Sequence, residues 1–202
     1  MHKTLIFDLG KVLVQFDFSL GYQAFSKLCP HDAAAIREIV RARGVEMIRK
    51  FETGLIEPPD FQRRMCEMLQ IEADYQGFCA SWSSIFTQEL IPESTIAALA
   101  RRYRLVLLSN TNAIHFDLVN RKYPALRHFH HLVLSHEVKA MKPDPAIYRE
   151  AIAHAQCLPH ECFYADDIEE NIVAGRALGL DGVVFESAEQ IEAAMRARGI
   201  EW

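Results

Sequence analysis

Four uninterrupted apolar runs punctuate the second half of the chain: Leu105–Leu108, Leu132–Leu134, Cys162–Ala165 and Gly182–Phe185; a fifth, Leu5–Phe7, lies near its start. A strand with one wet face alternates apolar and polar residues. A run that does not alternate belongs to a strand covered on both faces, as in a parallel sheet flanked by helices. The intervening stretches, roughly 112–121, 144–155, 168–178 and 188–198, carry helical apolar spacing. Such strand–helix alternation predicts an α/β fold, a Rossmann-like doubly wound parallel sheet.

Between the first run and Pro92 the rhythm changes. Residues 16–90 read mostly as helix, with Ile36, Ile39, Val40 and Met47 on one face and Phe78, Trp82 and Phe86 at four-residue steps on another. The expected organisation is a core of residues 1–15 plus 91–202, with an α-helical cap inserted over 16–90.

Composition narrows the function classes. Half of the residues are hydrophobic and 24% charged, so the chain can bury a core and disorder is not expected. A net charge of -5 gives no basis for a nucleic-acid or membrane-surface partner. No apolar run approaches the roughly 18 residues of a membrane span, and the N-terminus lacks a signal-peptide pattern. Five cysteines (Cys29, Cys66, Cys79, Cys157 and Cys162), odd in number and irregularly spaced, read as free thiols. Together these predict a cytoplasmic protein.

In a parallel α/β sheet, binding sites form at the carboxyl ends of the strands. Polar clusters sit there: Asp8 after the first run, Ser109-Asn110-Thr111-Asn112 after the second, Asp166-Asp167 after the run that begins at Cys162. Lys142-Pro143-Asp144-Pro145 precedes a helical stretch. Asp8 is a carboxylate able to attack phosphorus. Asp166 and Asp167 add hard oxygen ligands of the kind magnesium takes. Three crowded carboxylates repel one another, and a divalent cation relieves that conflict. Ser109 and the amides that follow it, Asn110 among them, can donate to phosphate oxygens, and Lys142 supplies a compact cation. Pro143 is expected to hold Lys142 extended and to open the following helix.

Phe-Asp-Leu-Gly at 7–10, Leu-Ser-Asn-Thr-Asn at 108–112, Met-Lys-Pro-Asp at 141–144 and Asp-Asp at 166–167 resemble, in order, the four motifs of the haloacid dehalogenase superfamily. Within it they look most like the sugar-1-phosphate phosphatases typified by α-D-glucose-1-phosphate phosphatase, and like the N-terminal phosphatase domain of soluble epoxide hydrolase. The resemblance implies a magnesium-dependent phosphohydrolase acting on a small phosphorylated metabolite, a sugar phosphate above all. Asp8 is then the covalent nucleophile. Magnesium is held by Asp8, the Gly10 carbonyl and Asp167, with Asp166 ligating directly or one step removed, and Asn171 supporting the metal site. Cap residues Arg49, Lys50, Glu52 and Thr53 become candidates for substrate contact.

One position departs from the family pattern. Most phosphatases of the superfamily carry an aspartate two residues after the nucleophile, as general acid and base; here Gly10 stands. Such help is worth about 10² to 10⁴ in rate, so the expectation is a slow enzyme or one that takes good leaving groups, with Asp17 a substitute donor at the cap hinge. Two rival readings follow from the same gap: a metal-free 2-haloacid dehalogenase, disfavoured by the Asp166-Asp167 pair, and a non-catalytic interaction protein on the same scaffold. His128, His130 and His131 read as surface residues and not as a metal site.

Overall fold

In the computed structural model, which describes residues 1–202, the chain runs β1 (Thr4–Phe7), β2 (Val14–Phe16), α1 (Phe18–Phe25), α2 (Ala33–Ile39), α3 (Val45–Glu52), α4 (Pro58–Leu69), α5 (Tyr75–Trp82) and β3 (Phe86–Glu89). It continues as α6 (Glu93–Ala100), β4 (Arg104–Ser109), α7 (Ala113–Lys122), β5 (His131–Leu134), α8 (Ser135–Val138), α9 (Pro145–Ala155), β6 (Cys162–Asp166), α10 (Glu169–Ala177), β7 (Asp181–Val184) and α11 (Ala188–Arg196). A π-helical turn, Val40–Gly44, joins α2 to α3.

Five strands form one parallel sheet in the order β5-β4-β1-β6-β7. The central strand shows why its run has no polar member. Leu5 and Phe7 enter one buried cluster with Leu105, Leu107, Phe163, Ile191 and Met195. Ile6, pointing the other way, joins Val106, Val133, Tyr164, Ile147 and Tyr148 in a second cluster. Both faces are helix-covered, so every position of β1 is buried.

The helices between β2 and β3 build a third cluster around Phe25, Ile36, Phe51, Phe61, Met65 and Phe78, and Ile114 of α7 joins it from the sheet side. Its aromatics are in close register: Phe51 stacks on Phe61 with centroids 4.0 Å apart, and Phe61 meets Trp82 edge-on at 4.9 Å. Phe86 departs from the sequence expectation. It stands in β3, not on the helix face of Phe78 and Trp82, because the chain turns at Ser83–Ile85 and pairs antiparallel with β2, Val14 opposite Glu89 and Phe16 opposite Phe86. This ribbon carries the chain into and out of the helical layer. No helix is long and apolar enough to cross a membrane.

Candidate active site

The parallel register sets the site. Phe7 is level with Leu107 on one side and Ala165 on the other, so Asp8, just past β1, and Asp166, the last residue of β6, stand at the same height, and Ser109 closes β4 beside them. The Asp8 amide continues the ladder, donating to the Ala165 carbonyl at 2.9 Å. Lys142, its side chain 1% exposed, reaches in from the segment between α8 and α9. Its Nζ lies 2.8 Å from Asp8 Oδ1, 2.6 Å from Asp166 Oδ2 and 3.0 Å from the Leu108 carbonyl, three acceptors for three ammonium protons.

Asn110 fixes the backbone that bears this lysine. Its Nδ2 donates to the Lys142 carbonyl at 3.0 Å, and the Lys142 amide donates to its Oδ1 at 2.8 Å. The side chain of Asn110 is therefore committed to the lysine. Asn112 caps α7 through its side-chain oxygen, which accepts from the His115 amide at 3.0 Å. Pro143 does not open the next helix as the sequence suggested. Asp144 is the cap, accepting from the Ala146 amide at 2.8 Å, and Pro145 is the first helical residue, where a missing N–H costs nothing.

Asp166 is completely buried and its acceptor positions are filled. Oδ2 takes Lys142 Nζ and the Tyr164 hydroxyl (2.7 Å); Oδ1 takes the Ile168 amide and Asn171 Nδ2, both at 2.9 Å. Asp167 stays half-buried, and burial together with the charge of Asp166 pushes its carboxyl up. Burial likewise raises Asp8 above the usual carboxylate range, against the pull of Lys142. Burial opposes the charged lysine, but Asp8 and Asp166 outweigh it and hold Lys142 above its ordinary value.

Carboxylate oxygens of Asp8, Asp166 and Asp167 all lie within 4.8 Å of one another. Three carboxylates against one ammonium leave an excess of two negative charges when ionised, and the donors are hard oxygens. Residues of this kind suit a magnesium ion.

Above the sheet edge a cavity of about 820 Å³ opens between the helical layer and the core, walled by Phe18, Tyr22, Ile48, Trp82 and Met141 and reaching Lys142. Glu52 and His115 border it and also line the adjoining crevice that holds Gly10, Ser109 and Asn110. Burial alone pushes the Glu52 carboxyl up to about 7. Arg49 lies on the cavity wall, whereas exposed Lys50 pairs with Glu46 at 3.5 Å. Thr53 stands apart: its hydroxyl donates to the Arg49 carbonyl at the end of α3 (2.9 Å). Asp17 is exposed and caps α1, accepting from the Ser19 amide at 2.8 Å, which holds its carboxyl low.

His115 is a cavity residue that the sequence did not mark. It is buried and stacks on Trp82 at 5.1 Å. Nε2 lies 3.0 Å from the Trp82 carbonyl and Nδ1 3.1 Å from Asn112 Nδ2, a pattern satisfied by the neutral ring protonated on Nε2. Burial lowers its pKa to about 4. The three histidines that the sequence singled out lie away from the site. His128 pairs with Glu93, His130 accepts from the Leu105 amide, and His131 stacks on His154 at the amino end of β5.

The family model of haloacid dehalogenase-like hydrolases matches residues 2–179. The chain belongs to this hydrolase family. Over 188 residues, 90% of each chain, it is 27% identical to D-ribitol-5-phosphate phosphatase of Bacteroides thetaiotaomicron. A haloacid dehalogenase family enzyme of the same organism, crystallised with magnesium and inorganic phosphate, superposes with a TM-score of 0.79 at 28% identity, covering 93% of this chain and 96% of its own. L-2-haloacid dehalogenase of Xanthobacter autotrophicus shares the fold at a TM-score of 0.64 and 15% identity, covering all of this chain and 85% of its own.

Proposed function

We propose that the protein is a magnesium-dependent phosphatase that hydrolyses a small phosphomonoester, a sugar or polyol phosphate, through an aspartyl-phosphate on Asp8. The observation that carries this reading is the Asp8–Lys142–Asp166 cluster, with Asp167 and Ser109 beside it, joined through Lys142 to a cavity large enough for a phosphorylated metabolite. The relatives that act on ribitol 5-phosphate or bind magnesium and phosphate support the same class. The excess of carboxylates argues against the metal-free carbon chemistry of a dehalogenase.

Asp8, Asp167 and the Gly10 carbonyl would hold the ion, with Asp166 ordering Lys142 and the start of α10. A bound magnesium ion supplies charge neutralisation for the phosphoryl group. Lys142 keeps Asp8 ionised and aimed. The Ser109 hydroxyl and the Asn110 amide orient the phosphate for in-line attack. Residues 16–90 act as the cap that selects the leaving group and excludes water. Five free thiols fit a cytoplasmic setting.

A phosphate-release screen with magnesium over sugar and polyol phosphates tests this, with Asp8→Asn as control. Release by wild type and almost none by the variant is expected; equal turnover removes the nucleophile.

A further inference from the structure

Gly10 leaves the reaction without the proton donor that stands at this position in most phosphatases of the superfamily, and the structure shows that a side chain there would be obstructed. A Cβ on Gly10 would come 2.6 Å from Cε1 of Phe16, which fills that space from β2. The donor must come from elsewhere. Asp17 is spent as a helix cap, exposed and held ionised. His115 has both ring nitrogens engaged and favours its neutral form.

We propose that Glu52 is the general acid and base of this phosphatase, supplied by the cap in place of the residue missing at position 10. The inference rests on the phosphatase reading above. Glu52 ends α3 and lines the crevice shared by Gly10, Ser109 and Asn110 as well as the substrate cavity. Its backbone is docked on the core: the Ser135 hydroxyl donates to the Glu52 carbonyl at 2.6 Å, and Lys139 Nζ donates to the Gly54 carbonyl at 2.6 Å. The charged and titratable groups around it are Arg49 on its own helix, Tyr22 of α1, His115 of α7, Lys139 following α8, and Lys142 and Asp144 before α9. None of them contributes to its shift, which burial alone produces, so the carboxyl is free to carry a proton near neutral pH.

The proton balance is complete. As the bond from Asp8 Oδ to phosphorus forms and the bond to the leaving oxygen breaks, that oxygen takes the Glu52 proton and departs as an alcohol. In the second half the Glu52 carboxylate accepts a proton from the attacking water, whose oxygen bonds to phosphorus while the Asp8–phosphorus bond breaks. Phosphate leaves, and Asp8 and protonated Glu52 are restored.

The test is Glu52→Gln, assayed with an alkyl phosphate such as ribitol 5-phosphate and with p-nitrophenyl phosphate, whose leaving group needs no proton. The expected loss in kcat/KM, which covers the steps up to departure of the leaving group, is about 10²-fold or more for the alkyl ester and minor for the aryl ester; hydrolysis of the shared aspartyl-phosphate slows for both. The wild-type decline in kcat/KM above about pH 7 on the alkyl ester disappears in the variant. Glu52→Asp, which keeps an acid, recovers part of the alkyl activity and covers the case in which the glutamine variant misfolds. Equal losses in kcat/KM on both esters, or an unchanged pH limb, overturn the role of Glu52 while leaving the phosphatase standing. Wild-type protein that releases phosphate from neither ester overturns the phosphatase reading and this inference with it.

Discussion

Substituting Gly54 by alanine should unseat the docked turn at the end of α3, and the size of the effect can be worked from its contacts. Gly54 has φ +62°, and a Cβ built on it runs into the His136 carbonyl oxygen. A side chain in the left-handed region costs roughly 1–2 kcal/mol. The steric conflict is with backbone, so the turn must lift. Lifting gives up the bonds from Ser135 to the Glu52 carbonyl and from Lys139 to the Gly54 carbonyl, each worth about 1 kcal/mol net. Since relief of the clash recovers part of the strain, the total loss is on the order of 3 kcal/mol. With a urea slope of about 2 kcal/mol/M for a domain of this size, the midpoint falls by about 1.5 M. Amides of residues 52–55 should exchange faster with deuterium, and turnover of an alkyl phosphate should drop with them. A midpoint shift under about 0.3 M with unchanged turnover would refute the reasoning, because it would mean that the turn carries neither strain nor docking energy.

Lys142→Met leaves Asp8 and Asp166 buried without their cation and should cost about 3–5 kcal/mol in urea unfolding without added metal; a loss below 1 kcal/mol contradicts the buried network. His115 titrates near 4 when folded against an ordinary value of 6.5, so its contribution is intact above pH 6.5 and is lost as pH falls towards 4. Wild type should therefore lose up to roughly 3 kcal/mol more than His115→Gln over that interval, and parallel pH–stability curves would exclude it. Gly10→Asp should be destabilising by about 1–3 kcal/mol because of Phe16, and Phe16→Ala in the same chain should remove most of that penalty; additive losses would show that Phe16 is not the obstacle. Magnesium should raise the Tm of wild type by mass action and leave Asp167→Asn unmoved; an equal shift in both places the ion elsewhere.

The sheet was legible because burial on both faces writes itself as uninterrupted runs: Leu105–Leu108 lies inside β4, and Cys162–Ala165 begins β6. The polar clusters were legible for a related reason, since a parallel register brings strand ends to one edge whatever their separation in sequence. The ribbon was not. In β3 only Phe86 is buried, and Thr87, Gln88 and Glu89 face water, so neither period is visible. His115 was hidden in the first turn of a helix whose pattern already accounted for it; only Trp82, 33 residues earlier, makes it a cavity wall. Glu52 was marked, but as a substrate contact beside a plain turn. Its raised carboxyl comes from burial where the cavity meets the crevice of Gly10, Ser109 and Asn110, which a single sequence does not encode locally.

The antiparallel pairing of Phe16 with Phe86 has a broader consequence. Because the polypeptide leaves and rejoins the five-stranded half on neighbouring rungs, the helices between those rungs form a single excursion from it. None of these helices contributes a rung to the five-stranded sheet, so the length of the excursion is not set by any of its strand registers. On the proposed reading, choice of leaving group is then free to diverge in the excursion while the strand-end carboxylates keep their places, except that this excursion also carries the Glu52 carboxyl.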